Sequence, residues 1–192
     1  MNRRERKKAE TRAKIITCAI SLFREKGFMN TSMEEIAEKA DIAKGTLYNY
    51  FPDKEEILVG YFQNYIAKHG QEFFDSLKDI PGIEAKLSKF LDFLTTIITV
   101  EKELAEIYLQ FRMKTFLDYD PFNNPRRSGL EPFLVMILQE AQANKEIRTD
   151  IPALVLSRYL QFLIRSSLLS NAVQQGASCS GHPQGSADRT VS

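Results

Sequence analysis

Apolar residues recur along this chain three and four positions apart, the spacing of one helical face, and turn residues fill the gaps. Ile16, Ala19, Ile20 and Phe23 make the first stripe, in a helix predicted from about Ala9 to Lys26. Gly27 then offers the left-handed C′ position that ends helices cheaply. Ser32 caps a second helix, with Glu35 three residues on to complete a capping box, and Met33, Ile36, Ala37 and Ala40 form its apolar face. Asp41 and Ile42 make a corner. A third helix follows from about Lys44 to Tyr50, with Leu47 and Phe51 on its buried side.

Pro52 and Asp53 break that helix and cap the next, where Glu56 completes a second capping box. The fourth helix is long: Leu58, Tyr61, Phe62, Tyr65, His69 and Phe73 keep one stripe to about Leu77. Pro81 and Gly82 mark a turn. Ile83, Leu87, Phe90, Leu91, Leu94, Ile97 and Ile98 define a fifth helix, and Leu104, Ile107, Tyr108, Phe111 and Thr115 a sixth. The turn-rich "DYDPFNNP", residues 118–125, is a loop. Leu130, Phe133, Leu134, Ile137, Leu138 and Ala141 mark a seventh helix, and Asp150 with Pro152 starts an eighth. That last helix is apolar on more than one side, through Leu154, Leu156, Leu160, Phe162 and Leu163. A helix apolar nearly all round is buried on both faces, so its second face is expected to meet another chain. After Ala172 the periodicity stops. The stretch 176–192 carries Gly176, Gly181 and Gly185 and is expected to be a disordered tail.

Composition narrows the picture. Strand signals are scarce, so the fold class is all-α. At 192 residues and 43% hydrophobic, the chain can bury a core as one large or two small domains. No apolar run is long enough to span a membrane, and the charged N-terminus lacks the apolar stretch of a secretory signal. Cys18 and Cys179 lie far apart without metal spacing, as in a reduced cytosolic protein. His69 and His182 are the two histidines. With no phosphate loop, nucleophile elbow or metal cluster, an enzyme is not expected, nor a cofactor. The net charge of +1 is unevenly spread: residues 1–54 carry 12 basic and 8 acidic side chains, the remainder 14 and 17. Residues 1–14 alone hold seven basic and two acidic. Such a block is either a solvated tail or a nucleic-acid arm.

Helices as short as the second and third are marginal alone. Two of them joined by a tight corner form a helix-turn-helix, whose second helix enters the DNA major groove. The third helix has the composition for that. Leu47 and Phe51 face inward, while Gly45, Thr46 and Asn49 point away, flanked by Tyr48 and Tyr50. Gly45 lets a backbone approach the duplex, Thr46 can meet a thymine methyl, and Asn49 can pair with adenine. Tyrosines can donate to phosphates. Lys54 adds a cation, and the Ser32 end of the second helix adds amides for phosphate. The bland alternative is a helical corner with a polar solvent face.

The stretch "GFMNTSMEEIAEKADIAKGTLYNYFPDKEEIL" resembles the N-terminal signature of the TetR (tetracycline-repressor) family, over about residues 10–58, with "KGTLYNYFPDKEEIL" its most specific part. The resemblance implies a three-helix DNA-binding domain, then an all-helical domain that binds an effector and dimerises. Carried over by motif position, the DNA contacts fall on Thr31, Ser32, Lys44, Gly45, Thr46, Tyr48, Asn49, Tyr50 and Lys54. Asp41 stands where the family commonly has Gly, and Ala43 where Ser is frequent. The family usually adds a ninth helix; here the glycine-serine tail stands in its place. Either the dimer is built from the eighth helix and its neighbours, or the chain is altered at its C-terminus with weakened dimerisation.

The expected organisation is therefore 1–54 for the basic arm and DNA-binding domain, 55–175 for effector binding and dimerisation, and 176–192 for the tail. The resemblance puts the effector among the fourth to seventh helices, where Phe62, Tyr65, His69, Phe90, Phe93, Leu94, Tyr108, Phe111 and Phe133 are its candidate lining. An aromatic stripe is also what a plain core looks like. As a set these residues favour an apolar or aromatic small molecule. Arg112 offers a cation to an acidic ligand group, although a surface ion pair is the simpler expectation. The dimer contact is expected at Leu156, Leu160 and Leu163. The expected function is a ligand-responsive repressor released from a palindromic operator, double-stranded DNA being its partner. A helical carrier of an apolar molecule is the rival reading, and it leaves residues 31–54 unexplained.

Overall fold

The computed structural model describes residues 2–118 and 130–178, and every element among them is helical. In chain order these are α1 (Arg3–Lys26), α2 (Met33–Lys39), α3 (Lys44–Tyr50), α4 (Lys54–Leu77), α5 (Ile83–Val100), α6 (Lys102–Asp118), α7 (Glu131–Ala143) and α8 (Ala153–Ser178). All eight predicted helices are present. None is long and apolar enough to cross a membrane.

Two boundaries differ from the sequence expectation. The basic stretch is not a separate arm: α1 begins at Arg3, and Asn2 closes a capping box with Glu5. Arg6 pairs with Glu10 at 3.4 Å, one turn on, a spacing that supports an exposed helix. At the other end α8 continues through Gly176 to Ser178, past the expected boundary at 175. Most of the predicted tail (179–192) and most of the 118–125 loop lie outside the described residues.

Local rules account for the first half. At Gly27 φ is +87°, as expected of a glycine stop, but ψ is 152°, so the chain leaves α1 extended rather than left-handed. Ser32 accepts the Glu35 N–H while Glu35 accepts from Ser32, giving the predicted capping box. Asp53 accepts the Glu56 N–H at 2.7 Å. The corner between α2 and α3 is held differently. Asp41 sits at φ +50°, a region a non-glycine side chain enters at some cost, and Ala43 occupies the N-cap of α3 with no side-chain bond. Both departures from the family pattern are thus visible as local strain and a missing cap.

α1 packs on α2 and α4, and α2 on α3. Ile15, Ala19, Ile36, Leu47 and Ile57 are fully buried between them. α4 crosses α1 closely at Gly60. A Cβ there would stand 2.8 Å from Arg12 Nη2, 3.1 Å from Ile16 Cδ1 and 3.3 Å from Phe51 Cε1. From that crossing α4 runs on, ~36 Å in all at 1.5 Å per residue, to pack against α5 and α6. α7 packs on α5 and α8, and α6 on α8. The buried side chains form one continuous cluster along α4. The expected 54/55 boundary therefore falls at the first residue of a helix shared by both ends.

Candidate nucleic-acid interface and internal cavity

The α3 face forms first from the residues that cannot be on it. Leu47 is fully buried and Phe51 nearly so, which turns Lys44, Gly45, Tyr48 and Asn49 to the exposed side. Thr46 is half-buried, and so is Tyr50, which packs against the core. Nothing lies within 4 Å of the position a Gly45 Cβ would take. Lys44 pairs with Glu34 across the corner and lies 6.0 Å from the Tyr48 ring.

Three of the family-derived positions have other duties. Thr31 is buried, and its hydroxyl donates to the Gly27 carbonyl at 2.9 Å; its side chain does not reach the outer face. The Lys54 ammonium donates to the carbonyls of Phe28 (2.8 Å) and Thr31 (2.7 Å) and lies 4.7 Å from the Phe28 ring centroid. It clamps the α1–α2 turn to the start of α4, and one of its three N–H donors remains. Ser32 spends its hydroxyl on the cap, bonded with Glu35.

The aromatic candidates divide into three groups. Phe62, Phe90, Leu94 and Tyr108 line a narrow internal cavity of about 50 Å³ between α4, α5, α6 and α8. The Phe62 and Tyr108 rings meet there at 4.6 Å. Tyr65, His69 and Phe93 belong instead to an open groove of about 650 Å³ along α4 and α5. There Tyr65 packs on His69, and Phe73 stacks on Phe93, at 4.5 Å each. Phe111 and Phe133 line neither space; both pack against the core, and Phe133 lies edge-on to Phe73 at 5.6 Å. Leu91, counted in the α5 stripe, is exposed, because Phe90, Leu94 and Ile97 already hold the inward face.

The sequence reading did not find the α8 wall of the cavity: Gln161, Ile164, Arg165 and Leu168. Nor did it foresee that Arg112, expected on the surface, is buried. An i, i+3, i+4, i+7 reading centred on Ser157, which is fully buried, selects Gln161, Ile164 and Leu168 and was the available signal. The opposite side of α8 leaves Tyr159 and Leu163 59% exposed. Leu156 and Leu160 are half-buried, so they flank that exposed strip rather than centre it.

A polar contact joins the two ends of the molecule. Arg24 of α1 pairs with Glu101, in the link between α5 and α6. The Tyr61 hydroxyl donates to the same carboxylate at 2.8 Å and accepts from Arg24 at 3.3 Å. Burial, and then the bond to Glu101, push the Tyr61 phenol up to about 12.

This is a short helix pair set on a three-helix core, with its second helix exposed, ahead of a helical bundle with an apolar cavity: the architecture of a helix-turn-helix transcriptional regulator. Residues 15–60 match the family model described as bacterial regulatory proteins, tetR family. The match lies in the segment that carries the helix pair. It is 44% identical over 54 residues to the HTH-type transcriptional regulator YuxN of Bacillus subtilis, covering 28% of this chain and 19% of that one. It is 29% identical over 108 residues to the fatty acid metabolism regulator protein of the same organism, covering 52% and 56%. The matches thus span little more than half of these relatives' lengths, or less. Among solved structures, Thermus thermophilus FadR, a TetR-family repressor bound to lauroyl-CoA, superposes with a TM-score of 0.71. That pair is 27% identical, covering 84% of this chain and 82% of that one.

The α2 cap makes a prediction about acid. The Lys26 ammonium, and then the Ser32 backbone and hydroxyl, hold the Glu35 carboxyl down at about 2, against an ordinary 4.5. A carboxyl depressed on folding adds stability above its unfolded pKa and loses it as pH falls through the folded one. Helicity measured by circular dichroism during unfolding should therefore fall between pH 4.5 and pH 2. Glu35→Gln, which cannot titrate, should start less stable at neutral pH and show a shallower acid decline. Equal acid slopes would exclude the cap as a contributor.

Proposed function

We propose that this chain is a ligand-responsive DNA-binding transcriptional repressor, acting as a homodimer on a palindromic operator. The observation that carries this reading is the exposed α3 face, held from behind by Leu47 and Phe51. Asn49 and Thr46 read base edges. Lys44, Tyr48, Tyr50, Ser32 and the remaining donor of Lys54 set register on phosphates. Thr31 serves only through its support of the turn. Two such heads must reach successive major grooves about 34–36 Å, or a multiple, apart. The dimer this requires forms on the α8 strip carrying Leu163 and Tyr159, flanked by Leu156 and Leu160.

The effector is an apolar molecule that enters the cavity, and an acyl chain is the class that the lauroyl-CoA of the Thermus relative suggests. At about 50 Å³ the cavity is smaller than the roughly 150 Å³ that holds a benzene. The ligand must therefore part its walls. Phe62 is one of them, and its neighbour Tyr61 holds Glu101 and Arg24. Ile97, Ile98 and Ala105, on either side of Glu101, are others. Opening the cavity moves both partners of this contact and tilts α1, with the reading head, against the bundle. Coupling of this kind is typically about 1–3 kcal/mol and is reciprocal between DNA and effector.

Selection of sequences from random DNA by the full chain should yield a palindromic consensus; enrichment of no sequence would refute the regulator reading. Gly45→Ala should raise thermal stability, by up to about 1 kcal/mol for a helical glycine with open space around it, yet weaken binding to that consensus. A variant that is more stable and binds equally well would remove α3 from the interface. Glu101→Gln should bind the operator normally while lauroyl-CoA loses most of its effect on operator affinity. An unchanged lauroyl-CoA response would mean the coupling runs elsewhere. Leu163→Asp, at a site exposed in the single chain, should keep its helicity but sediment as a monomer with weakened operator binding. A variant that stays dimeric would shift the interface off this strip.

A further inference from the structure

The cavity wall is apolar except for Tyr108 of α6, which carries a hydroxyl, and for Gln161 and Arg165, which stand one turn apart on α8. Gln161 is buried, and Arg165 Nη2 donates to its amide oxygen at 3.0 Å. That is a neutral acceptor. Arg165 itself is half-buried, and a partly desolvated guanidinium ordinarily takes a carboxylate, because a desolvated charge is costly unless it is paired. Among the described residues no carboxylate bonds to Arg165: Glu131 acts on it through space and bridges to Arg158 at 3.6 Å, and Arg112 carries the same sign. Burial lowers the Arg165 pKa from the ordinary arginine value; Tyr108 and Glu131 oppose that shift and Arg112 adds to it.

We infer that Arg165 is the head-group site of the cavity, and that the effector is an apolar molecule ending in a carboxylate held by this guanidinium. The inference rests on the apolar-effector reading above and adds the chemistry of the ligand's polar end. A guanidinium presents five donors in a planar fork, which matches a carboxylate with two parallel bonds. Gln161, four residues earlier on the same helix, fixes the orientation of the fork. The apolar side chains facing it, Phe62, Phe90, Leu94 and Ile97 among them, take the rest of the molecule. A ligand so bound replaces a neutral partner with an anion where water is scarce, and there the charge pair is strongest.

The test is calorimetric titration of the full chain with laurate, 1-dodecanol and lauroyl-CoA, which share one apolar chain and differ in the head. Wild type should bind laurate at least tenfold more tightly than 1-dodecanol. Arg165→Met, similar in length and uncharged, should erase that advantage while leaving 1-dodecanol within about twofold. Arg165→Lys, which keeps the charge and loses the fork, should retain part of it. Lauroyl-CoA, with a neutral thioester carbonyl, should lose less than laurate in Arg165→Met. Equal binding of laurate and 1-dodecanol by wild type would overturn the inference while leaving the apolar-effector reading intact, and needs no variant to fold. An advantage that survives in Arg165→Met would overturn it as well, as would a lauroyl-CoA loss equal to that of laurate. If no ligand binds at all, the apolar-effector reading falls too.

Discussion

Helix α4 meets α1 at a close crossing, where a Cβ at position 60 would crowd Arg12, Ile16 and Phe51, and the rest of the molecule is arranged about that contact. Its first turns close the three-helix core against Ile16 and Phe51, and its later turns form one wall of the effector bundle. A larger residue at this point would displace the Arg12 side chain and press on Ile16 and Phe51. Interiors are packed too tightly to absorb such a shift gradually. α4 can therefore carry a displacement from one end to the other as a rigid element. Arg24, Tyr61 and Glu101 brace the same junction from outside the core, and the brace lies against residues that line the cavity.

The cavity and the reading head are built on opposite principles. The head is local. Its shape follows from the Ser32–Glu35 cap, the Asp41 corner and the buried Leu47, and Lys54 pins the preceding turn through two carbonyls. It tolerates strain at Asp41 and a bare N-cap at Ala43, because Leu47 and Phe51 anchor α3 by burial rather than by its ends. The cavity is not local. Four helices distant in sequence contribute to it, and Gln161 and Arg165 come from α8, the last of them. It is a narrow, mostly apolar space bordered by aromatic rings, with a guanidinium in one wall.

Much of this was legible in the amino-acid sequence alone. Helix number, most boundaries, both N-caps, the corner and the outward Gly45–Asn49 face all follow from interactions within about four residues of each other, and such interactions leave a period in the chain. The family signature over residues 15–60 lies in that same local segment. The stripe on α4 also announced a bundle.

Tertiary structure decided what the stripes were for. Periodicity says that Phe62, Tyr65 and His69 share a face, but not that the first borders a closed cavity and the other two an open groove. That depends on how far α5 stands from α4 along their length. Lys54 reads as a cation for phosphate until the folded turn aims two carbonyls at it, and Arg112 reads as one of a surface ion pair until the folded bundle buries it. The basic stretch looked like an arm until its cap and the Arg6–Glu10 pair made it two more turns of α1. In each case the sequence by itself determined the local conformation and the inward face. Side-chain direction and burial were settled only by contacts between residues far apart in the chain, and these impose no period on it.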